Sequence, residues 1–352
     1  MIDWLGEQGR PARRQSAVVF TAGAVGVALL GLTVAVNAGD LYVGQGLVPV
    51  KNFQPLQGLS LQMPVDNAIP LKSGELVLRA NFAETSTDLL ETSATGNGVL
   101  KFGQLTSAFG VRYGTAMENV EVGLQIESIY RHSSGLDGLV TATERLFGRS
   151  NGPRDALKHS GYAYSLSVGN TVLNPPNEAF GVSDIVVHAK ALMVSEGKYM
   201  PAASLRVAVK IPVGDKDRAL GTGVADLGVG LSLQKTLWER VNVYVNMNEM
   251  LPTGHYLNLA LRGYFTSVSG VEFMATPRFS ITGQFDYYQS PFGNTGIKLL
   301  DRGVTEAVLA FGYRLTPNVL WQIYGVENLD FTKGSAADFT LATVLMYRMP
   351  RK

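Results

Sequence analysis

The stretch Ser204–Ile211 (SLRVAVKI) decides the fold, because its side chains alternate in character along the chain. On an extended strand the apolar residues share one face: Leu205, Val207, Val209 and Ile211. The other face carries Ser204, Arg206, Ala208 and Lys210. The pattern recurs in Asn119–Tyr130, Asp226–Gln234 and Arg240–Asn248. Segments of about ten residues with one apolar face are typical of tilted membrane-spanning strands. A soluble sheet with one wet side is the alternative, but the second face carries almost no large aliphatic residues.

Short and long connections alternate between these strands, which is typical of outer-membrane barrels. The short links fall on one side and the long polar links, including Thr85–Asn97 and Arg131–Ser160, on the other. We therefore predict an all-β, antiparallel up-and-down transmembrane barrel of 12 strands over residues 74–352. Upward strands start near Gly74, Asn119, Ala202, Arg240, Phe279 and Val319. Downward strands start near Leu105, Val182, Val224, Leu257, Val304 and Phe339.

A further hairpin surrounds Gly169-Asn170, with arms Tyr162–Val168 and Thr171–Leu173. If both arms are full strands, the barrel has 14. The pair Pro175-Pro176 interrupts the second arm, because proline cannot donate to a strand ladder. We assign the hairpin to an outer loop.

Composition excludes several classes of protein. The chain has 46% hydrophobic and 17% charged residues, a net charge of +1 and no Cys. A disulfide scaffold, thiol catalysis and thiolate metal sites are thereby excluded. The near-neutral charge offers no field to recruit nucleic acid. The 4 His have no metal-ligand spacing, so we expect no metal and no cofactor.

The first residues are typical of an export signal. Arg10, Arg13 and Arg14 precede the apolar stretch Ser16–Val36, which ends in the small-residue pattern Val36-Asn37-Ala38. We predict a signal peptide over residues 1–38; a permanent membrane anchor is the alternative. Residues 39–73 are then a periplasmic N-terminal extension. Its Pro-rich part, Gly46–Leu71, lies before the first strand and is a candidate to thread into the barrel from below.

Aromatic residues are predicted to form girdles at the two membrane interfaces. On the periplasmic side these are Trp238, Trp321, Tyr313 and Tyr347. On the outer side they are Tyr130, Tyr287 and Phe292. The alternative is the ordinary strand propensity of aromatic residues.

The inward positions predict a charged but neutral lumen, since charges that face lipid are costly. The acidic candidates are Glu75, Glu121, Glu127, Asp184, Asp226, Asp286 and Glu306. The basic candidates are Arg79, Arg112, Lys190, Arg206, Lys210, Arg262 and Arg314. The seven negative and seven positive charges cancel, so the predicted wall has no net charge. This wall would suit either a wet polar channel or an ion-pair network that fills a narrow barrel. We favour the constricted lumen, because opposite charges at short range pair.

The long outer loop contains a predicted amphipathic helix over Gly138–Phe147. Its apolar stripe requires cover and consists of Leu139, Val140, Leu146 and Phe147. A polar turn with Arg154 follows. These five residues are the candidate gate over the barrel mouth. A helix that only caps strand edges is the equal alternative.

Several motifs resemble a domain-of-unknown-function family of proteobacterial outer-membrane barrels. They are Leu47–Leu56 (LVPVKNFQPL), Gly181-Val182-Ser183-Asp184 and Lys210-Ile211-Pro212-Val213-Gly214-Asp215. The loop motifs Asn151-Gly152-Pro153-Arg154 and Glu327-Asn328-Leu329 also fit. The chain is more distantly similar to hydrophobic-compound uptake barrels. The resemblance implies the outer membrane of a Gram-negative bacterium and contact with its lipid; it implies no established activity.

Three functions remain open. The first is a narrow gated channel or passive transporter for small polar or apolar molecules. The second is a sealed structural barrel that presents its outer loops to a partner. The third is a membrane enzyme with groups such as His132, Ser133 and Asp137, but no nucleophile-elbow motif is present. We expect no enzymatic activity.

Overall fold

The computed structural model describes residues 44–133, 136, 161–329 and 335–349. Its strands, in chain order, are β1 (Leu76–Thr92), β2 (Gly96–Gly114), β3 (Val120–His132), β4 (Ala163–Val168), β5 (Thr171–Leu173), β6 (Phe180–Val194), β7 (Ala202–Ile211), β8 (Asp226–Leu237), β9 (Val241–Pro252), β10 (His255–Tyr256), β11 (Leu259–Ala260), β12 (Tyr264–Met274), β13 (Phe279–Tyr288), β14 (Val304–Thr316), β15 (Val319–Asn328) and β16 (Phe339–Met349). A four-residue helix, α1 (Lys298–Asp301), lies between β13 and β14. In the part of the chain described, no helix has the length and apolarity needed to cross a bilayer.

Twelve strands close into an antiparallel barrel. The ring runs β1-β16-β15-β14-β13-β12-β9-β8-β7-β6-β3-β2, and β2 pairs with β1 to close it. Leu76, for example, lies opposite Met349 on one side and Tyr113 on the other. The predicted fold class is confirmed. The predicted hairpin forms β4 and β5, which extend the sheet from β2 outside the ring.

The alternation seen in the sequence is the inside–outside alternation of the wall. Val207 and Val229 are more than 40% exposed on the outer face, whereas their neighbour Arg206 is buried inside. Apolar side chains are more stable in contact with lipid than with water, so this surface is suited to the membrane. Trp238, Tyr313 and Tyr347 are exposed near the short links.

One predicted girdle residue is placed wrongly. Phe292 is fully buried and packs edge-on against Tyr256, with ring centroids 6.4 Å apart. It belongs to an apolar cluster formed by the outer loops, which the alternation pattern does not reveal. The girdle prediction therefore fails at this position.

Two predicted boundaries also differ. The loop expected over Thr85–Asn97 is mostly strand, because β1 and β2 continue their pairing as far as Thr92 and Asn97. This extension is stabilised by burial of Leu89 and Leu100 against β4. The strand expected from Leu257 begins instead at Tyr264, since the intervening residues form the small β10–β11 hairpin.

The pairing of β3 with β6 contains a bulge. Ile126 lies opposite Ile185 and Ser128 opposite Val182, so two residues of β6 oppose Glu127 alone. The extra residue increases the local bend of the strand. It places Asp184 beside the end of β7, where its Oδ1 accepts hydrogen bonds from the N–H groups of Val213 (3.1 Å) and Gly214 (2.9 Å).

Candidate functional site

The interior of the barrel is occupied by residues 44–72, which we call the lumen segment. Apart from a 3-10 turn at Gln57–Leu59, it has no regular secondary structure. It enters near the short β12–β13 link, where the Gln45 side chain donates to the Arg278 carbonyl at 3.0 Å. It leaves by Lys72, whose N–H donates to Glu75 at 3.0 Å. Of the stretch predicted as a periplasmic extension, 39–73, residues 44 onward are described. Most of their side chains are buried within the barrel, and Ile69 and Lys72 are exposed where the segment leaves it.

The wall leaves room for this segment because many of its inward residues are small. A Cβ on Gly228 would lie 2.9 Å from Leu61 Cδ2, and one on Gly270 would lie 2.4 Å from Leu47 Cδ2. Other inward positions are Ala83, Ala108, Ala208, Ala310, Ala342, Ser204, Ser232 and Ser280. The wall side chains alone do not fill the lumen, and the lumen segment does.

Near its entrance the segment is held by Glu272 of β12, which is fully buried. The carboxylate accepts hydrogen bonds from the N–H of Gln45 at 2.9 and 3.1 Å, from Gly46 at 3.3 Å and from the Tyr244 hydroxyl at 2.8 Å. Charge-assisted bonds of this kind are about twice as strong as neutral ones. Glu272 thus fixes where the segment enters.

On the returning half, Asp66 pairs with two bases of the wall. Its carboxylate lies 2.5 Å from Arg112 Nη1 and 2.7 Å from Lys190 Nζ. Glu121 completes the cluster, 3.4 Å from Arg112 and 3.6 Å from Lys190. Its carboxylate also accepts the Leu71 N–H at 2.8 Å. Buried charges are stable only when paired, so the network depends on the segment being present.

A second cluster lies at the end of β7. Lys210 Nζ is 3.0 Å from both Asp184 and Asp226 and donates to the Leu59 carbonyl at 3.1 Å. Asp226 also accepts the Leu61 N–H at 2.7 Å. The motifs Gly181-Val182-Ser183-Asp184 and Lys210–Asp215 therefore meet here. Asp184 and Lys210 form an ion pair, and the Gly214 N–H donates a hydrogen bond to the Asp184 carboxylate.

At the outer end the segment contacts the loop that carries α1. Gln54 Nε2 donates to the Leu299 carbonyl at 3.1 Å. Gln57 Nε2 donates to the carbonyls of Leu300 (3.1 Å) and Arg302 (2.7 Å). These acceptors are helix-end carbonyls, which lack partners within a helix. The tip of the segment thus satisfies the end of α1.

The same tip completes a buried apolar cluster under the outer mouth. Leu56 and Leu59 of the segment contribute to it. The loops and strand extensions supply Leu89, Leu100, Phe102, Tyr164, Leu166, Val168, Leu173, Ala219, Tyr256, Leu259, Phe292, Ile297, Leu299 and Leu300. The barrel is consequently closed by an apolar layer at the outer mouth and, below it, by polar contacts interspersed with smaller apolar clusters.

The predicted lumen residues fall into three groups. Those buried inside the barrel are Glu75, Glu121, Asp184, Lys190, Arg206, Lys210, Asp226, Asp286 and Glu306. Arg79, Arg112, Glu127 and Arg314 are partly exposed. Arg262 precedes β12 and is exposed; its Nε is 3.4 Å from the Ser290 carbonyl. The candidate gate residues Leu139, Val140, Leu146, Phe147 and Arg154 lie outside the described residues.

Not all of these charges are paired. Asp286 and Glu306 lie directly opposite each other on β13 and β14, and neither forms an ion pair among the described residues. Arg206 donates to the Pro64 carbonyl at 2.6 Å and to the Asn248 side chain. It therefore holds the segment through a neutral acceptor.

The sequence analysis missed the partners that the segment supplies, namely Asp66, Lys51, Gln45, Gln54 and Gln57. Their only signal is a polar, Pro-rich stretch without alternation. It also missed Glu272, although this residue continues the inward face of Tyr264–Met274. Among the described residues, no group of three or more His, Asp or Glu side chains is placed to hold a metal ion.

The chain matches one family model and, in fold, several solved structures. The family model described as "Protein of unknown function (DUF3187)" matches residues 26–349. No curated protein matches this chain. Among solved structures, the COG4313 outer membrane channel from Pseudomonas putida matches with a TM-score of 0.56 and 11% identity, covering 82% of this chain and 100% of that one. This likeness shows the fold.

Two other solved structures are more distant. The toluene transporter TbuX of Ralstonia pickettii has a TM-score of 0.41 and 12% identity, covering 80% of this chain and 90% of its own. A FadL homologue of Pseudomonas aeruginosa has a TM-score of 0.34 and 11% identity, covering 78% and 89%. The barrel thus resembles in fold the outer-membrane channel of Pseudomonas putida.

Proposed function

Because the chain belongs to the DUF3187 family and has the fold of an outer-membrane channel, we propose that it is a passive channel for small apolar molecules. The lumen segment is its gate. The observation that carries the proposal is the way the lumen is closed. Glycine and small side chains line the wall, and a separate stretch of chain, not the wall itself, fills the space between them.

The contacts of the segment suit a part that moves. They include hydrogen bonds and ion pairs with polar wall residues, such as Glu272, Asn246 and Lys190. Beside these polar contacts, apolar side chains of the segment pack in small clusters against the wall. Water can replace the polar partners when the segment is displaced, so the net cost is far below the sum of the bonds. The wall exposed by this movement carries polar and charged side chains, which water can solvate, between apolar ones such as Val308 and Val344.

The apolar cluster at the outer mouth supports the choice of substrate class. This cluster joins Leu56 and Leu59 to the aromatic side chains around them. The Arg131 guanidinium, which lies over the Phe102 and Tyr164 rings, already has hydrogen-bond acceptors in the loop carbonyls of Arg218 and Ala219. An apolar guest can replace the apolar contacts of the cluster without leaving a polar group unpaired, whereas an ion would lose its hydration. The outer entrance therefore favours apolar molecules.

Locking the segment tests the gate. The chain contains no native Cys, so the pair Leu47→Cys and Gly270→Cys introduces the only thiols. A Cβ added at Gly270 would lie 2.4 Å from Leu47 Cδ2, so the two introduced side chains face each other. We would measure single-channel conductance in planar bilayers, and uptake of phenylnaphthylamine by cells, in oxidised and reduced protein. We expect both to fall on oxidation and return on reduction.

A second variant lacks residues 46–71 and should conduct continuously. Heat-modifiable migration on a gel checks that it still forms a barrel. If wild type, reduced double mutant and deletion variant all fail to conduct and to pass the dye, the channel proposal is rejected. That result would favour a sealed structural barrel, for which the burial of most of the segment's side chains is the supporting observation.

A further inference from the structure

A cavity lies between the lumen segment and the wall formed by β1, β2 and β3. Its volume is about 20 Å³, which is room for about one water-sized guest. The segment contributes Pro49, Val50, Lys51, Phe53, Gln62, Met63, Pro64 and Val65. The wall contributes Arg79, Asn81, Thr106, Ala108, Gln125 and Glu127. Half of the lining is apolar, and charged side chains reach the cavity from both sides.

Arg79 differs from the other bases of this region. Its Nη2 donates to the Gln125 side-chain oxygen at 2.7 Å, and it forms no ion pair with any described residue. The nearest acids are engaged elsewhere, Glu127 with Lys51 and Asp66 with Arg112 and Lys190. Since a guanidinium carries several N–H donors, Arg79 retains donors that no carboxylate of the described chain accepts.

The charges that line the cavity do not cancel. Lys51 and Arg79 give two positive charges and Glu127 one negative charge, which leaves +1. Lys51, Arg79 and Glu127 are only partly exposed, so water compensates this charge incompletely. A single monovalent anion would balance this charge and accept the remaining Arg79 hydrogen bonds.

We propose that this cavity binds one small monovalent anion, with chloride as the expected ligand, held by the Arg79 guanidinium. The small volume favours an ion of this size over larger organic carboxylates. Because Lys51 belongs to the lumen segment and Arg79 to β1, the bound anion joins the segment to the wall. Its presence therefore stabilises the seated position of the segment.

The first test is crystallographic and uses the full chain. Crystals are soaked in bromide, and anomalous difference maps locate the ion. We expect a peak in the cavity beside Arg79 in the wild-type protein and its loss in Arg79→Gln. The matched control is Arg314→Gln, because Arg314 also faces inward but does not line the cavity; this variant keeps the peak. No cavity peak in the wild type, or an equal peak in Arg79→Gln, overturns the proposal.

The second test is made in solution. Thermal unfolding of the detergent-solubilised protein is compared in chloride and in gluconate, which is too large for the cavity, at equal ionic strength. We expect a higher Tm in chloride for the wild type and for Arg314→Gln, and equal Tm values in the two salts for Arg79→Gln. A wild-type Tm that does not differ between the salts contradicts the proposal even if Arg79→Gln fails to fold.

Discussion

Asp66 of the lumen segment and Lys190 of β6 form an ion pair of 2.7 Å inside the barrel, although 124 positions separate them in the chain. Both side chains are nearly inaccessible to solvent, at 9% and 1% exposure. The pair therefore connects the part that closes the lumen to the part that forms it.

Replacing Asp66 with Asn should loosen the segment. Arg112 and Lys190 would lose the nearer of the two carboxylates that they share and keep only Glu121. Removal of one partner of a buried ion pair costs about 3–5 kcal/mol. We expect a lower Tm and more frequent channel openings in planar bilayers. Asp217→Asn is the control, because Asp217 pairs with Lys216 at the exposed surface, where its side chain is 72% accessible. Equal effects of the two substitutions would contradict this role of Asp66.

Filling the space of a wall glycine should displace the segment. Gly228→Leu would place its side chain against Leu61 and Met63, so we expect raised conductance with an intact barrel. The control is Gly283→Leu, since a Cβ at Gly283 meets nothing within 4 Å. Conductance and heat-modifiability are measured for both. A closed Gly228→Leu channel would show that the segment does not respond to the wall.

Gln57 should transmit movement of the segment to the outer loop. Gln57→Leu removes the donor to the Leu300 and Arg302 carbonyls, so the α1 loop should become more accessible to protease and to hydrogen exchange. Gln62→Leu serves as the control, because its amide donates within the segment, to the Ser60 carbonyl. Unchanged protection of the α1 loop in Gln57→Leu would mean that the loop is held independently.

The Glu75–Arg348 pair predicts a pH dependence at the periplasmic end. Burial alone would raise the pKa of Glu75, but hydrogen bonds from Arg348 and from the Lys72 N–H outweigh it, and the pKa lies below its ordinary value of 4.5. A carboxyl with a lowered pKa stabilises the folded state above the unfolded pKa and loses that contribution as pH falls through the folded pKa.

Arg348→Gln should accordingly lower Tm at pH values above 4.5, and the difference from wild type should shrink in more acidic buffer. Thermal unfolding across this range checks it. A difference that grows with acidity would have the wrong sign for this pair.

The sequence predicts the wall well and its contents poorly, for a physical reason. Alternation of Leu205, Val207 and Val209 with Arg206 and Lys210 is a local property, because period two alone decides which face a side chain takes. The twelve strands follow from it. The pairing of Asp66 with Lys190 depends on contacts between distant parts of the chain, and no periodicity marks it.

The errors have the same origin. Phe292 and the Thr85–Asn97 stretch were assigned from local character, yet both are fixed by the apolar cluster that distant loops assemble. Most of the inward charges could be listed from the sequence, but not their partners. Arg79 and Lys210 look alike in an alternating strand, and only the folded barrel distinguishes the paired base from the unpaired one.

Ring closure through β1 and β16 has a consequence for biogenesis. β1 can complete its second set of hydrogen bonds only after the last strand has been synthesised and exported. The lumen segment precedes every strand of the barrel in the chain. The groups that hold this segment, such as Glu272, lie far along the chain, so its seated position is fixed only once the later strands are in place. Closure of the barrel and docking of the lumen segment are therefore coupled late steps in the biogenesis of this protein.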